Sequence, residues 1–312
     1  MFDIRQYQKT DEGAWNRFVA QSKQGTFLFD RSYMDYHSDR FADHSLLFFH
    51  KGNLRALLPA NIDRDTLYSH QGLTYGGLLT DRHAKVADIC TLFAELNDYI
   101  RNQGIHKVVY KAMPWIYHRL PAEEDLYALT QVCHAQLTVR EVSSTIIGSH
   151  RLPFEESRRS GIRKAMRLGV SCSESTDFTS FWQILDGNLS QKYGVHPVHT
   201  LKEMQLLHSR FPRNIRLYLA TLKERPIGGT VIYETPQVIH TQYISATPEG
   251  KQAGALDLLF DFLINKVYAE CPYFDFGKST EDQGHTLNSN LIFQKEGFGG
   301  RGVCYDTYEW TL

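Results

Sequence analysis

Paired cysteines, long apolar runs and an excess of charge of one sign are all missing from this chain. Its cysteines, Cys90, Cys133, Cys172, Cys271 and Cys304, are odd in number and scattered, with no C-x-x-C pair. That pattern implies no disulfide framework and suits free thiols in a reducing compartment. Nowhere do about 18 uninterrupted apolar residues occur, and no basic segment followed by an apolar run opens the chain. A formal net charge of -1 argues against wholesale coating of nucleic acid, while leaving room for a local basic patch. His196 and His199 flank Pro197 without a carboxylate or cysteine partner, so no metal site is expected. Together these absences predict a cytoplasmic protein without a transmembrane segment.

What remains is ordinary globular composition, 42% hydrophobic and 22% charged over 312 residues, a length at which two domains are expected. A strand at Phe2 to Tyr7 leads into a helix with Trp15, Phe18 and Val19 on one face. Leu46 to Phe49 and Leu54 to Ala60, joined by Lys51-Gly52-Asn53, read as a hairpin. A third strand spans Thr66 to Tyr75, a helix Ala84 to Arg101, a strand His106 to Lys111, a helix Glu123 to His134, and a strand Leu137 to Ile147. The second half repeats this order. A helix carrying Phe178, Phe181, Trp182, Leu185 and Leu189 precedes a hairpin, Ile215 to Thr221 and Ile227 to Tyr233. A strand from Val238, its helix, a strand Tyr273 to Phe276, a helix Thr286 to Lys295 and a strand Val303 to Trp310 follow. The offset between the halves stays at about 170 residues. The repeat predicts two α+β domains of similar fold, 1–150 and 151–312, joined near residues 149 to 160.

The second half holds the most suggestive stretch. Val238 to Ile244 is rich in β-formers, Pro248 to Ala255 breaks the strand, and Leu256, Leu259, Phe260, Leu263 and Val267 mark one face of a helix. A strand feeding through small residues into a helix start presents unpaired N–H groups, a seat for phosphate that Gly250, Gly254 and Ala255 let an anion approach. Plain turn chemistry accounts for the same glycines.

The element order in each half resembles the acyltransferase fold of the GNAT superfamily, whose acyl-CoA turn matches Lys251-Gln252-Ala253-Gly254-Ala255-Leu256 in part. Asn288-Ser289-Asn290-Leu291-Ile292-Phe293-Gln294-Lys295-Glu296-Gly297-Phe298 is similar to that family's later motif, with Phe293 where a tyrosine often serves as general acid. The tandem arrangement resembles the FemABX group of peptidoglycan bridge aminoacyltransferases. Its basic helix has a counterpart in Arg158 to Val170, its aromatic-Asp-aromatic-Gly strand end in Tyr273-Phe274-Asp275-Phe276-Gly277, and its Phe-Lys-x-x-Phe-Gly ending in the stretch from Gln294 to Gly299. The first half has Asp81-Arg82-His83-Ala84-Lys85 at the corresponding turn, with no glycine. The resemblance therefore implies a degenerate, acceptor-side first domain and a donor-binding second domain. It implies N-acyl transfer from acyl-CoA to an amine acceptor such as an amino sugar, amino acid or peptide, including a cell-envelope precursor. Aminoacyl-tRNA is the alternative donor, and a non-catalytic binding protein on a decayed fold is the other alternative. No permanently bound cofactor and no DNA partner are implied.

In this fold an amine attacks a carbonyl directly, so the site must place two substrates, accept a proton and stabilise an oxyanion. His240 is a candidate general base or a satisfied strand histidine. Asp275 ends a strand, as a site residue or as a helix cap. Tyr305, with Tyr308, is a candidate for the proton donor missing at Phe293. The donor is expected at Gly250, Lys251, Gln252, Gly254, Ala255, Asn288 and Lys295. The helical spacing of Arg159, Arg163, Lys164 and Arg167 gives one positive face, either solvated or contacting an acceptor's or tRNA's phosphate. Tyr75, in the glycine-rich stretch Ser69 to Gly77, is a candidate acceptor contact, as is Gln242, expected on the same strand face as His240.

Overall fold

The computed structural model describes residues 1–312, the side chain of Tyr193 excepted. The chain divides into two compact units, residues 1–141, 282–286 and 304–312, and residues 142–281 and 287–303. Both mix strands and helices: the first holds a four-stranded antiparallel sheet and further strands of mixed pairing, the second a mixed, mainly antiparallel sheet.

In the first unit the hairpin Leu46–His50 and Asn53–Leu58 turns through Lys51 and Gly52, both at positive φ. That backbone matches the right-handed twist of the two strands. The helix Val86–Arg101 buries Ile89, Leu92, Phe93, Leu96 and Ile100 in a core with Phe48, Leu67, Tyr110 and Trp310. The strand expected from Thr66 to Tyr75 stops at Tyr68, and Lys111 Nζ binds the carbonyls of Gln71 and Leu73 at 3.1 and 2.9 Å in the loop beyond it. Thr66–Tyr68 runs parallel to Lys107–Lys111, the pairing that a strand, helix, strand crossover produces.

In the second unit Ser171–Ser175, Ile215–Leu222, Arg225–Glu234 and Val238–Ala246 form an antiparallel meander. Val238–Ala246 then pairs in parallel with Tyr273–Lys278 through His240↔Asp275. On the far side of Tyr273–Lys278 lies the strand Gln136–Ile147, with Thr145 opposite Asp275. The strand that ends the first half of the chain therefore serves the second unit. Conversely, the closing strand Arg301–Thr311 pairs with Lys107–Lys111 in the first. The expected boundary near residue 150 is thus a division between Glu141 and Val142, inside the strand Gln136–Ile147, with the ends of the last strands exchanged: residues 142–147 count with the second unit and 304–311 with the first. Helix Leu201–Arg210 has no counterpart in the sequence reading; a capping box of Thr200 and Glu203 starts it.

The helix expected to begin at Leu256 begins instead at Pro248. It runs Pro248–Ala253, kinks at Gly254 (φ 76), continues as Ala255–Phe262 and ends in a π-helical turn, Leu263–Val267. The basic helix Glu156–Leu168 crosses it closely. A Cβ on Gly254 would stand 2.5 Å from the carbonyl oxygen of Gly161. One on Gly161 would meet the carboxylate of Asp257, which Arg158 binds at 2.6 Å. Gly254→Ala is expected to lower stability by about 1 to 3 kcal/mol in urea unfolding, from overpacking and a left-handed backbone together; unchanged stability would contradict this crossing. In the first unit Asp125 is buried and accepts the Tyr110 hydroxyl at 2.5 Å, and burial raises its pKa to about 6. The folded state therefore keeps a proton that the unfolded chain loses, so this contribution falls as pH climbs from about 4 to about 6. Asp125→Asn should gain stability over the parent by about 2 to 3 kcal/mol between those limits, read from melts across the range; parallel curves would reject the shift.

Candidate functional site

The second unit gathers its polar chemistry where two parallel strands part. Val238–Ala246 and Tyr273–Lys278 stay paired only from Val238↔Tyr273 to His240↔Asp275. Two local features end the pairing. Gln242 is an extra residue between the partners of Val231 and Ile232, a β-bulge that bends its strand, and Gly277 takes φ 73.

Asp275 is completely buried at the last paired position and is surrounded by donors. His240 Nδ1 lies 2.8 Å from one carboxylate oxygen, and the hydroxyls of Thr145, at 2.8 Å, and Ser143 donate to the other. Burial pushes its pKa up, but His240, by hydrogen bond and charge, and the two hydroxyls outweigh that and hold it below the ordinary carboxylate value. Because an ionised carboxylate only accepts, Nδ1 of His240 carries the proton of this bond, making Nε2 the basic nitrogen of the neutral ring.

Beside this pair stands Lys295, only 4% exposed, on the helix Ser289–Glu296. Its ammonium donates at 2.8 Å to the carbonyls of Gly277 and of Lys278. Burial lowers its pKa from 10.5 to about 8, with the charge of Asp275 opposing the fall. Gly277 links the two groups: its carbonyl holds Lys295, and its Cα side faces the imidazole, with His240 Cε1 3.3 Å from where a Cβ would stand. Past the point of parting, a cavity of about 760 Å³ opens, walled by Phe260, Phe276 and Phe298, with Lys295, Lys251 and Lys192 among its polar lining.

Lys295 and Lys251 thus share one cavity, Lys251 Nζ lying 3.4 Å from Asn188 Oδ1. The other residues expected at the donor have structural partners. Gly250 packs so tightly that a Cβ would lie 2.0 Å from the Ile227 carbonyl oxygen, and its N–H is taken by Thr247 Oγ1 at 3.0 Å. Gly254 lies against Gly161, Ala255 is in the core, and Gln252 is exposed on its helix. Asn288 caps its helix through Leu291 N–H and bonds Glu281. Arg159 and Arg163 both pair with Glu156, and Lys164 is exposed. Tyr305 and Tyr75 belong to the first unit. There the Tyr305 hydroxyl meets that of Tyr117 at 3.1 Å, and Tyr75 bonds Thr26 at 3.2 Å. Ser143 and Thr145 were missed. Their signal is a polar run, Ser143-Ser144-Thr145, inside an otherwise β-forming stretch, which calls for a buried partner. No group of three or more metal-ligating side chains occurs among the described residues. No helix there is long and apolar enough to cross a membrane.

Residues 156–283 match the family described as Acetyltransferase (GNAT) domain. No curated protein matches the sequence. Among solved structures, FemX superposes with a TM-score of 0.69 at 9% identity, covering 99% of this chain and 97% of that one. The C-terminal domain of a putative lysylphosphatidylglycerol synthetase from Agrobacterium fabrum gives 0.64 at 10%, covering 97% and 92%. A tandem GNAT protein from the clavulanic acid biosynthesis pathway gives 0.55 at 12%, covering 100% and 98%. Residues 156–283, which carry the parted strands and much of the cavity lining, are accordingly similar to a GNAT acetyltransferase domain, in a chain whose fold is similar to FemX and to a tandem GNAT protein.

Proposed function

We propose that the second unit transfers an acyl group from an activated carrier to an amine acceptor, an amino sugar, amino acid or peptide, by direct attack on the carbonyl. One observation carries this reading: a desolvated ammonium, Lys295, stands in the wall of the cavity where the parallel strands part. Carbonyl attack builds negative charge on oxygen, and a fixed cation in a dry site stabilises that charge far more than water does. Two of the three N–H bonds of Lys295 are aimed at backbone carbonyls, which fix its position, and the third supplies the donor. His240, oriented by Asp275, receives the proton the amine sheds.

The carrier presents phosphates in either case considered, coenzyme A or the 3′ end of a tRNA. Packing of Gly250 against Ile227 and of Gly254 against Gly161 favours the second. The backbone face expected to cradle a pyrophosphate is spent on the protein's own contacts, while Lys192 and Lys251 line the cavity with side-chain charge instead. The substrate is then an aminoacyl ester and the product an amide. The cell envelope, where bridge-forming aminoacyltransferases work, is the corresponding setting.

Lys295→Met should reduce kcat about 100-fold or more in an acyl-transfer assay, with Lys295→Arg recovering part of it. The parent's rate should fall as pH rises through about 8, where Lys295 loses its proton. Full activity in Lys295→Met would remove this role of Lys295, and absence of transfer by the parent from either carrier would leave a non-catalytic binding protein as the better reading. The carrier is separable in a binding experiment. Aminoacyl-tRNA, or tRNA itself, should bind with affinity that drops steeply between about 50 and 200 mM salt. An acyl-CoA held in this cavity at ~100 times its dissociation constant would stabilise the fold by about 2.7 kcal/mol. Such a shift without tRNA binding would transfer the assignment to coenzyme A.

A further inference from the structure

A second cavity of about 440 Å³ lies in the same unit, on the other flank of the helix Ala255–Phe262. Its walls are apolar: Ile146, Leu152, Pro153, Phe154, Ile162 and Phe298. Phe298 is the one residue that lines both this space and the reaction cleft, and its ring, packed edge-on against Phe154 and Phe260, partitions them. Charge is confined to the lining's polar members, Arg151, Arg159, Arg163 and Asp261. Arg151 is fixed, its guanidinium donating to the carbonyls of Ile264 at 2.8 Å and Ala269 at the end of the π-helical turn. Those partners are neutral, so its charge is not cancelled. Arg159 and Arg163 share a single carboxylate, Glu156, and remain more than half exposed. Asp261, the acidic member, accepts the Asn265 amide at 2.9 Å. Three guanidinium groups against two carboxylates leave an excess of positive charge around an apolar space within the size range of small-molecule sites. Exposed Leu152 and, on the basic helix, exposed Met166 and Leu168 add apolar surface to this part of the unit.

We infer that this cavity binds an anionic amphiphile, a single alkyl or prenyl chain with a phosphate head. The chain occupies the pocket lined by Ile162, Phe154 and Phe298, and the head engages Arg159 and Arg163. An apolar tail explains the walls, and a phosphate explains why arginine, whose planar fork binds it in two places, occupies both helical positions. The site is separate from the proposed transfer chemistry and does not depend on it.

The probe is dodecyl phosphate below its micellar concentration, titrated calorimetrically into the full chain. Affinity is expected to rise about fourfold per methylene from the octyl to the dodecyl homologue. Inorganic phosphate and dodecyl maltoside, which supply the head or the tail alone, should bind at least 100-fold more weakly. Arg159→Gln with Arg163→Gln should weaken dodecyl phosphate at least tenfold. Leu152→Glu, at an exposed wall position that leaves the core intact, should do the same. Lys251→Glu, in the reaction cleft, should leave binding unchanged. Co-sedimentation with phosphatidylglycerol vesicles, lost in the same variants, would identify a membrane lipid as the source; binding of the monomer without sedimentation would identify a soluble phosphate. Equal binding of dodecyl maltoside, or loss of binding in Lys251→Glu but not in the arginine variant, would overturn the assignment.

Discussion

A carboxylate with no access to water, Asp275, is the constraint from which the second unit is built. Burying a charge of that kind costs several kcal/mol unless donors replace the water it gives up. Here the replacements come from two strands, one on either side: Thr145 and Ser143 from one neighbour, His240 from the other. Strand order and register are consequently tied to the polar group. A shift of one residue in either neighbour would turn those donors to the opposite face and strand the charge.

The same arrangement explains why chemistry collects at this point. Parallel pairing ends immediately after Asp275, where the bulge at Gln242 and the left-handed Gly277 send the strands apart. Backbone carbonyls that would have continued the ladder are left without strand partners, and those of Gly277 and Lys278 are taken by Lys295. The ammonium is thus both a structural substitute for a missing strand and a buried cationic hydrogen-bond donor in the cavity wall. Its lowered pKa reflects that double duty, since the burial that fixes it also penalises its charge.

Much of this was legible in the residues. The first hairpin announced itself through Lys51-Gly52, and the amphipathic helix Val86–Arg101 through its apolar spacing. Asp275, His240 and Lys295 stood out as a strand-end carboxylate, a strand histidine and a motif lysine. Their mutual arrangement was not legible, because it depends on which strands become neighbours, and Ser143 lies 132 residues from Asp275. The glycines at 250 and 254 have packing roles that stayed hidden for a related reason. A small residue required by a close helix crossing is indistinguishable in sequence from one required by a phosphate, and only the carbonyl of Gly161 against Gly254 tells them apart. The bulge at Gln242 likewise has no local signature.

The exchange of last strands bears on how such a chain is made. Synthesis proceeds from the amino end, and the earliest domain of a protein ordinarily completes its fold first. Here the sheet begun by the first 141 residues lacks a strand until 304–312 have emerged, whereas the other unit needs nothing beyond residue 303. Birth order and completion order are therefore reversed. The older half must wait, its edge at Lys107–Lys111 uncovered, until residues 304–312 have been made.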